Sequence, residues 1–335
     1  MVLFSFFVME EKIKIQLEKA AGKNNISFDM EERLCYSRDI TPISYKWMRM
    51  YKTPPYLCDC VIRPENIKQI RKLLKISNDL KIPVVIYGGG SGTVGGVFPL
   101  DGGITLDMSR FNSLIEFDAQ SELVTVESGI IADRLEKILN LSGYTMRHFP
   151  QSLKSATVGG LIATKSVGQF STKYGGIENI LSGLDVMLPN GKIISTTRAP
   201  RTSTGPDLKN LFIGSEGILG IILNATLKVL KIPEKMVFRS YLCKSFYDGI
   251  NAVKECLQSG IFPPVIRLYN QEESELKFKK LGLNEKGSLL IICFEGLSKV
   301  VDAEVEEVGK ISANNSLKYI GEEIGKIWYE NRFDT

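Results

Sequence analysis

Three glycine-bearing stretches in this 335-residue sequence carry the residue types needed to hold a phosphorylated ligand. The first is Gly88-Gly89-Gly90-Ser91-Gly92-Thr93-Val94-Gly95-Gly96, entered directly from an apolar run that ends in Ile86 and Tyr87. A strand that stops at consecutive glycines exposes backbone N–H groups with no side chain in the way. Such groups form an anion-binding nest without help from a helix. Within this stretch Gly90 to Gly95 reads formally as GxGxxG. The dinucleotide site that pattern marks needs a strand, the glycines and then a helix. Here the helix-like stretch comes before the strand, and Pro99, Gly102 and Gly103 follow the glycines, so that site is excluded. A P-loop is excluded too, because no Gly-Lys-Ser/Thr follows. For this loop alone, a tight turn stands as the alternative to an anion nest.

The second stretch opens with Pro150, Gln151, Ser152, Leu153, Lys154, Ser155 and Ala156, then runs through Gly159-Gly160 to Ala163, Thr164, Lys165 and Ser166. Hydroxyls and bare backbone in that density suit close hydrogen bonding to a hydroxylated, phosphorylated chain. The third is Gly214-Ser215-Glu216-Gly217-Ile218-Leu219-Gly220-Ile221-Ile222. Each could be structural by itself; together they point to one ligand. Arg267 stands among Val265, Ile266 and Leu268. An arginine cannot shed its charge, so it either finds a partner in a buried setting or sits on a strand face pointing to solvent. His148 is the only histidine. That excludes a histidine-rich metal site, so no metal is expected, and it argues against a Ser-His-Asp hydrolase.

In order and spacing, Tyr87–Gly92, the Pro150–Gly160 segment, Tyr174-Gly175-Gly176 and Gly214–Ile222 resemble the PCMH-type FAD-binding domains of the vanillyl-alcohol oxidase superfamily, over roughly residues 55–232. The resemblance implies an α+β fold, with two α+β subdomains clasping FAD and a partial α+β substrate (cap) domain after them. It also implies that Gly88–Gly92, reached through Ile86 and Tyr87, holds the pyrophosphate. Pro150–Ala156, Ala163–Ser166 and Glu216–Ile222 would line the rest of the cofactor. The run Arg198-Ala199-Pro200-Arg201-Thr202-Ser203-Thr204-Gly205-Pro206-Asp207 is similar to one in alkyldihydroxyacetonephosphate synthases. The synthase resemblance implies exchange of an acyl for an alkoxy group on a dihydroxyacetone phosphate ester, with FAD as catalyst and its N5 as a covalent handle on the substrate. It also makes Arg267 the catalytic arginine beside the flavin and His148 a neighbour of dissociable, non-covalent FAD. Two other functions stay open. One is an FAD-dependent D-2-hydroxyacid (D-lactate or glycolate) dehydrogenase subunit; the other is a flavin-binding subunit inactive without a partner.

Composition is that of a soluble globular protein, and the resemblance implies a small-molecule substrate. Hydrophobic residues make up 44% and charged ones 24%, enough apolar material for a substantial core. A net charge of +4 with no basic cluster gives no reason to expect a nucleic-acid partner. The six cysteines show no pairing pattern, as expected of reduced thiols in a cytoplasmic protein. Met1–Met9 is apolar but far too short to cross a bilayer. It is expected to be a packed strand, or to precede a true start at Met9. Because synthases of this type continue further, a second polypeptide is expected to complete the substrate domain at residues 234–335.

The elements that must position these residues follow from periodicity. Helices are expected at 9–20, from Pro64 to Leu80, and at 131–142; strands at 61–62, 81–87, 103–109, 114–118 and 123–129. Pro189-Asn190-Gly191 signals a hairpin, and 222–230 is the last strand before Pro233. A second α+β unit follows, with strands at 237–243, around Arg267 and at 288–295, and a helix at 246–259. The boundaries expected along the chain are 1–53, a helical segment; 54–233, the FAD domain; and 234–335, the partial substrate domain.

Overall fold

The computed structural model describes residues 9–199, 203–280 and 285–333. The chain forms two compact units, each discontinuous in sequence. The first is built from Met1–Met146, Ser152–Ser166 and Ile180–Leu230; the second from Arg147–Gln151, Val167–Asn179 and Lys231–Thr335.

Two larger sheets build the first unit. One has strands β1 (Ile26–Ser27), β2 (Cys60–Ile62), β3 (Val84–Tyr87) and β4 (Ile104–Asp107) in the order β1-β2-β4-β3. β2 and β3 run parallel to the central β4, which is buried along its whole length, as parallel strands covered on both faces are. The crossover from β2 to β3 is the helix Ile67–Leu80, whose Ile70, Leu73 and Leu74 face the sheet. Its start departs from the Pro64 expectation. The Asn66 side chain accepts from the Gln69 N–H at 3.0 Å, so Asn66 is the cap and Pro64 lies outside the helix. The helix Glu11–Ala21 packs against it, burying Leu17 and Ala21 in one core with Ile62, Ile104 and Leu106.

The other sheet is wholly antiparallel: β5 (Leu114–Asp118), β6 (Leu123–Glu127), β7 (Leu181–Met187), β8 (Ile193–Ser195) and β9 (Ile221–Lys228), in the order β5-β6-β9-β7-β8. Its centre, β9, runs between β6 and β7, and Met187, Ile221 and Leu223 share the core of the first sheet. The expected turn at Pro189–Gly191 joins β7 to β8.

The second unit is one antiparallel sheet, β10 (Lys235–Cys243), β11 (Val265–Tyr269), β12 (Ser288–Gly296) and β13 (Lys318–Gly321), in the order β11-β12-β10-β13. Helices Phe246–Gln258 and Ser298–Asn314 cover one face through Ala252, Cys256, Val301, Val308 and Ile311, which meet Leu290, Ile292 and Phe294. The sheet's other face carries Glu295. Tyr174 donates to its carboxylate at 2.7 Å, Arg147 pairs with it at 3.1 Å, and the Lys173 ammonium donates to its backbone carbonyl. Both short excursions of the chain, 147–151 and 167–179, are tied to the sheet through this one buried residue. Among the described residues all six cysteines are free thiols and no helix is long and apolar enough to cross a membrane. Residues 1–8, on which the expectation of a packed strand falls, lie outside the described residues.

Candidate cofactor site

The three glycine-bearing stretches meet within the first unit. β3 ends at Tyr87, and the loop that follows lies against the second stretch. A Cβ on Gly88 would strike the Thr157 hydroxyl, and one on Gly89 would land on the Ser155 carbonyl oxygen. Only glycine permits that approach. The third stretch is bound to the second by two backbone bonds, Gly214 N–H to the Ile162 carbonyl at 3.0 Å and Glu216 N–H to the Ala163 carbonyl at 2.9 Å. Gly217 in turn packs under Ile86 of β3.

Between them lies a cavity of about 480 Å³. Its wall includes Ile86, Tyr87, Gly88, Gly89, Gly90, Ser91 and Gly92 from the first stretch, and Ser152, Ala156, Ala163, Thr164 and Ser166 from the second. Glu216, Gly217, Gly220 and Ile222 come from the third. Other expected residues stand elsewhere. Leu153 is buried, and its carbonyl accepts from the Asp133 N–H at the start of helix Ala132–Leu141. Ser155 props Gly89 through its backbone, while Lys154, Lys165 and Leu219 do not reach the wall. Ile218 and Ile221 line a smaller hollow of about 190 Å³, with Leu74, Ser77, Asn78, Ile82 and Met187. Pro150 and Gln151 belong to the second unit. Sequence reasoning missed Asp39, Thr93, Val94, Met108, Ser128, Thr157 and Gly160, all in the wall.

Among the described residues no lysine or arginine lines the cavity, and the two charged residues that do, Asp39 and Glu216, are both acidic. An anion here would be held by backbone N–H groups and hydroxyls rather than by cations. Burial pushes the Tyr87 phenol up to about 12, so it stays protonated at the base of the loop. Near-contact glycines, a bare-backbone concavity and hydroxyls from Ser91, Thr157 and Thr164 together fit a pyrophosphate-bearing cofactor.

Residues 58–197 match the FAD binding domain family. The same stretch contains the first two loops of the cavity and both subdomain sheets in part. Residues 58–197 form a PCMH-type FAD-binding domain. Similarity to whole proteins carries the comparison further along the chain. Alkyldihydroxyacetonephosphate synthase of Dictyostelium discoideum is 30% identical over 302 residues, covering 82% of this chain and 49% of that protein. Glycolate oxidase subunit GlcD of Bacillus subtilis is 30% identical over 308 residues, covering 91% and 63%. A solved alkyldihydroxyacetonephosphate synthase superposes with a TM-score of 0.88 at 26% identity, over 97% of this chain and 63% of that one. This chain thus spans about half to just under two thirds of the length of these relatives. The chain carries a PCMH-type FAD-binding domain, with the α+β architecture expected of it.

Two residues named from the sequence lie in the second unit. Arg267 is on β11, half-buried, with its guanidinium over the Trp328 ring at 5.5 Å from the centroid. Such stacking shields the planar face of the cation while leaving its edge free to donate. His148 is buried, and neither ring nitrogen has a hydrogen-bond partner among the described residues. Burial pushes its pKa down to about 4, so the imidazole is neutral at pH 7. Pro200, Arg201 and Thr202, at the centre of the synthase-like run, lie outside the described residues. At its two ends Arg198 pairs with Asp185 at 3.4 Å and Lys209 with Asp207 at 2.5 Å.

Proposed function

We propose that the chain provides the flavin site and part of the substrate domain of an enzyme of the alkyldihydroxyacetonephosphate synthase type, exchanging an acyl for an alkoxy group on a dihydroxyacetone phosphate ester. The observation that carries this is the match to a solved synthase through both compact units, over 97% of the chain. FAD, held without a covalent bond, would supply the reactive isoalloxazine N5. Gly88–Gly92 would hold the pyrophosphate, with the cavity-lining residues of the second and third stretches, among them Ser152, Thr164, Ser166 and Glu216, along the rest of the cofactor. Arg267 would contribute the fixed positive charge that offsets negative charge developing at the reacting end.

A second function draws support from the glycolate oxidase subunit, which matches 91% of this chain. In an FAD-dependent D-2-hydroxyacid dehydrogenase the flavin would take a hydride from D-lactate or glycolate. Adding either acid to the yellow protein without oxygen separates the two. The synthase assignment predicts an unchanged flavin spectrum that still bleaches on photoreduction. Bleaching by D-lactate or glycolate alone would establish the dehydrogenase instead.

Arg267→Lys tests the catalytic arginine. A point charge cannot reproduce a planar fork stacked on Trp328. The variant is expected to take up FAD normally and to lose roughly 10- to 100-fold in turnover, the value of one charged hydrogen-bonding pair. Turnover within twofold of the parent would remove Arg267 from the reaction.

A further inference from the structure

The carboxylate of Asp39 sits in the wall of an anion site, which by charge alone opposes the anion. It is buried, and every polar contact it makes is with a donor. Its Oδ2 accepts from the Gly95 N–H at 2.8 Å. Its Oδ1 accepts from the Thr41 N–H at 3.0 Å and the Ser44 hydroxyl at 3.3 Å. The next residue adds a second tie, the Ile40 N–H donating to the Gly92 carbonyl at 3.1 Å. Residues 39 and 40 therefore grip the glycine loop at two points, Gly92 and Gly95, on its second limb.

Beyond these ties, the Gly95 carbonyl accepts from the Phe98 N–H at 3.0 Å. Gly95 holds a left-handed backbone (φ +83°), and the loop carries no helix after it to set its direction. An ionised carboxylate is an acceptor only, so it meets all three donors without conflict. An asparagine of the same shape must turn an NH2 group toward at least one of them.

We propose that Asp39 is a positioning residue of the cofactor site: it holds the Gly92–Gly95 limb so that the N–H groups of Gly88–Gly92 converge on the pyrophosphate. The proposal rests on that loop being the pyrophosphate holder. Charge and geometry make opposite forecasts for Asp39→Asn. Removing a negative charge beside the pyrophosphate should tighten FAD if charge governs, whereas losing the brace should weaken it.

The test is titration of the flavin-free full chain, parent and Asp39→Asn, with FAD and with ADP, alongside the melting temperature of each unloaded protein. Expected are Kd values raised about 10- to 100-fold for both ligands, since both carry the pyrophosphate, with an unchanged melting temperature. Affinity equal to or tighter than the parent's overturns the proposal. So does a loss for FAD with none for ADP, or a loss accompanied by a lowered melting temperature. If the parent binds neither FAD nor ADP, it is the assignment of the loop itself that fails. Should Asp39→Asn not fold, hydrogen exchange in the unloaded parent carries the test. The Gly95 amide must be protected there, and exchange at the rate of an open loop overturns the brace.

Discussion

Gly89→Asp is expected to abolish FAD retention while leaving a soluble, folded chain. Two effects act in the same direction. A Cβ at residue 89 lands on the Ser155 carbonyl oxygen, so the loop must move away from the second stretch. Forced shifts of that kind cost about 1–3 kcal/mol. The new carboxylate then stands in the loop proposed to hold the pyrophosphate. At about 4 Å and an effective dielectric near 20, one pair of like charges repels by about 4 kcal/mol, close to a thousandfold in affinity. Electrostatics is the larger effect, so Gly89→Ala, which keeps only the steric one, should fall between the parent and Gly89→Asp. Flavin content by absorbance, with far-UV circular dichroism of each variant, checks the order. Parent-like flavin content in Gly89→Asp would show that the loop is only a turn.

Glu295→Gln is expected to destabilise the second unit by about 3–5 kcal/mol, a drop of roughly 10 °C in melting temperature. Glu295 is wholly buried on β12 and joined to Arg147 and Tyr174. Removing its charge leaves the Arg147 guanidinium, itself 8% exposed, short of its buried counter-charge. Burial and the adjacent carboxylate both hold the Tyr174 phenol in its protonated form, so its O–H donates at any ordinary pH. An amide in place of the carboxylate still accepts that bond, so the substitution removes the charge and keeps the Tyr174 contact. Thermal unfolding followed through Trp328 and the neighbouring tyrosines measures the loss. A shift under about 2 °C would mean that the pair contributes little to the fold.

The glycine loops were legible because close backbone approach dictates residue type at consecutive positions. The same logic overreached at Ile218 and Ile221. A continuous stretch was expected to line the cofactor, but a chain entering a strand shows alternate residues to opposite sides, and Ile222 faces the cavity while Ile221 faces the core. Asp39 could not be read at all. Its bond to Gly95 spans 56 residues, and its surroundings between Gly22 and Pro54 show no periodicity strong enough to place them. That segment nevertheless contains helices Met30–Cys35 and Pro42–Tyr51, the latter with Pro42 at its favoured first position. The helix Ser298–Asn314 went unread although Val301, Val308 and Ile311 mark a face at helical spacing. Arg267 needed the fold for a different reason. The ring that stacks on it, Trp328, comes from a helix at the far end of the sequence.

The flavin content of the purified chain tests the central claim most directly. Protein unloaded and then reloaded with excess FAD should be yellow after gel filtration, with one FAD per chain. Acid precipitation should release all of that FAD to the supernatant, as a cofactor held by backbone N–H groups and hydroxyls requires. Colour retained in the acid pellet would contradict non-covalent binding. A folded chain that takes up no FAD at all would contradict the site.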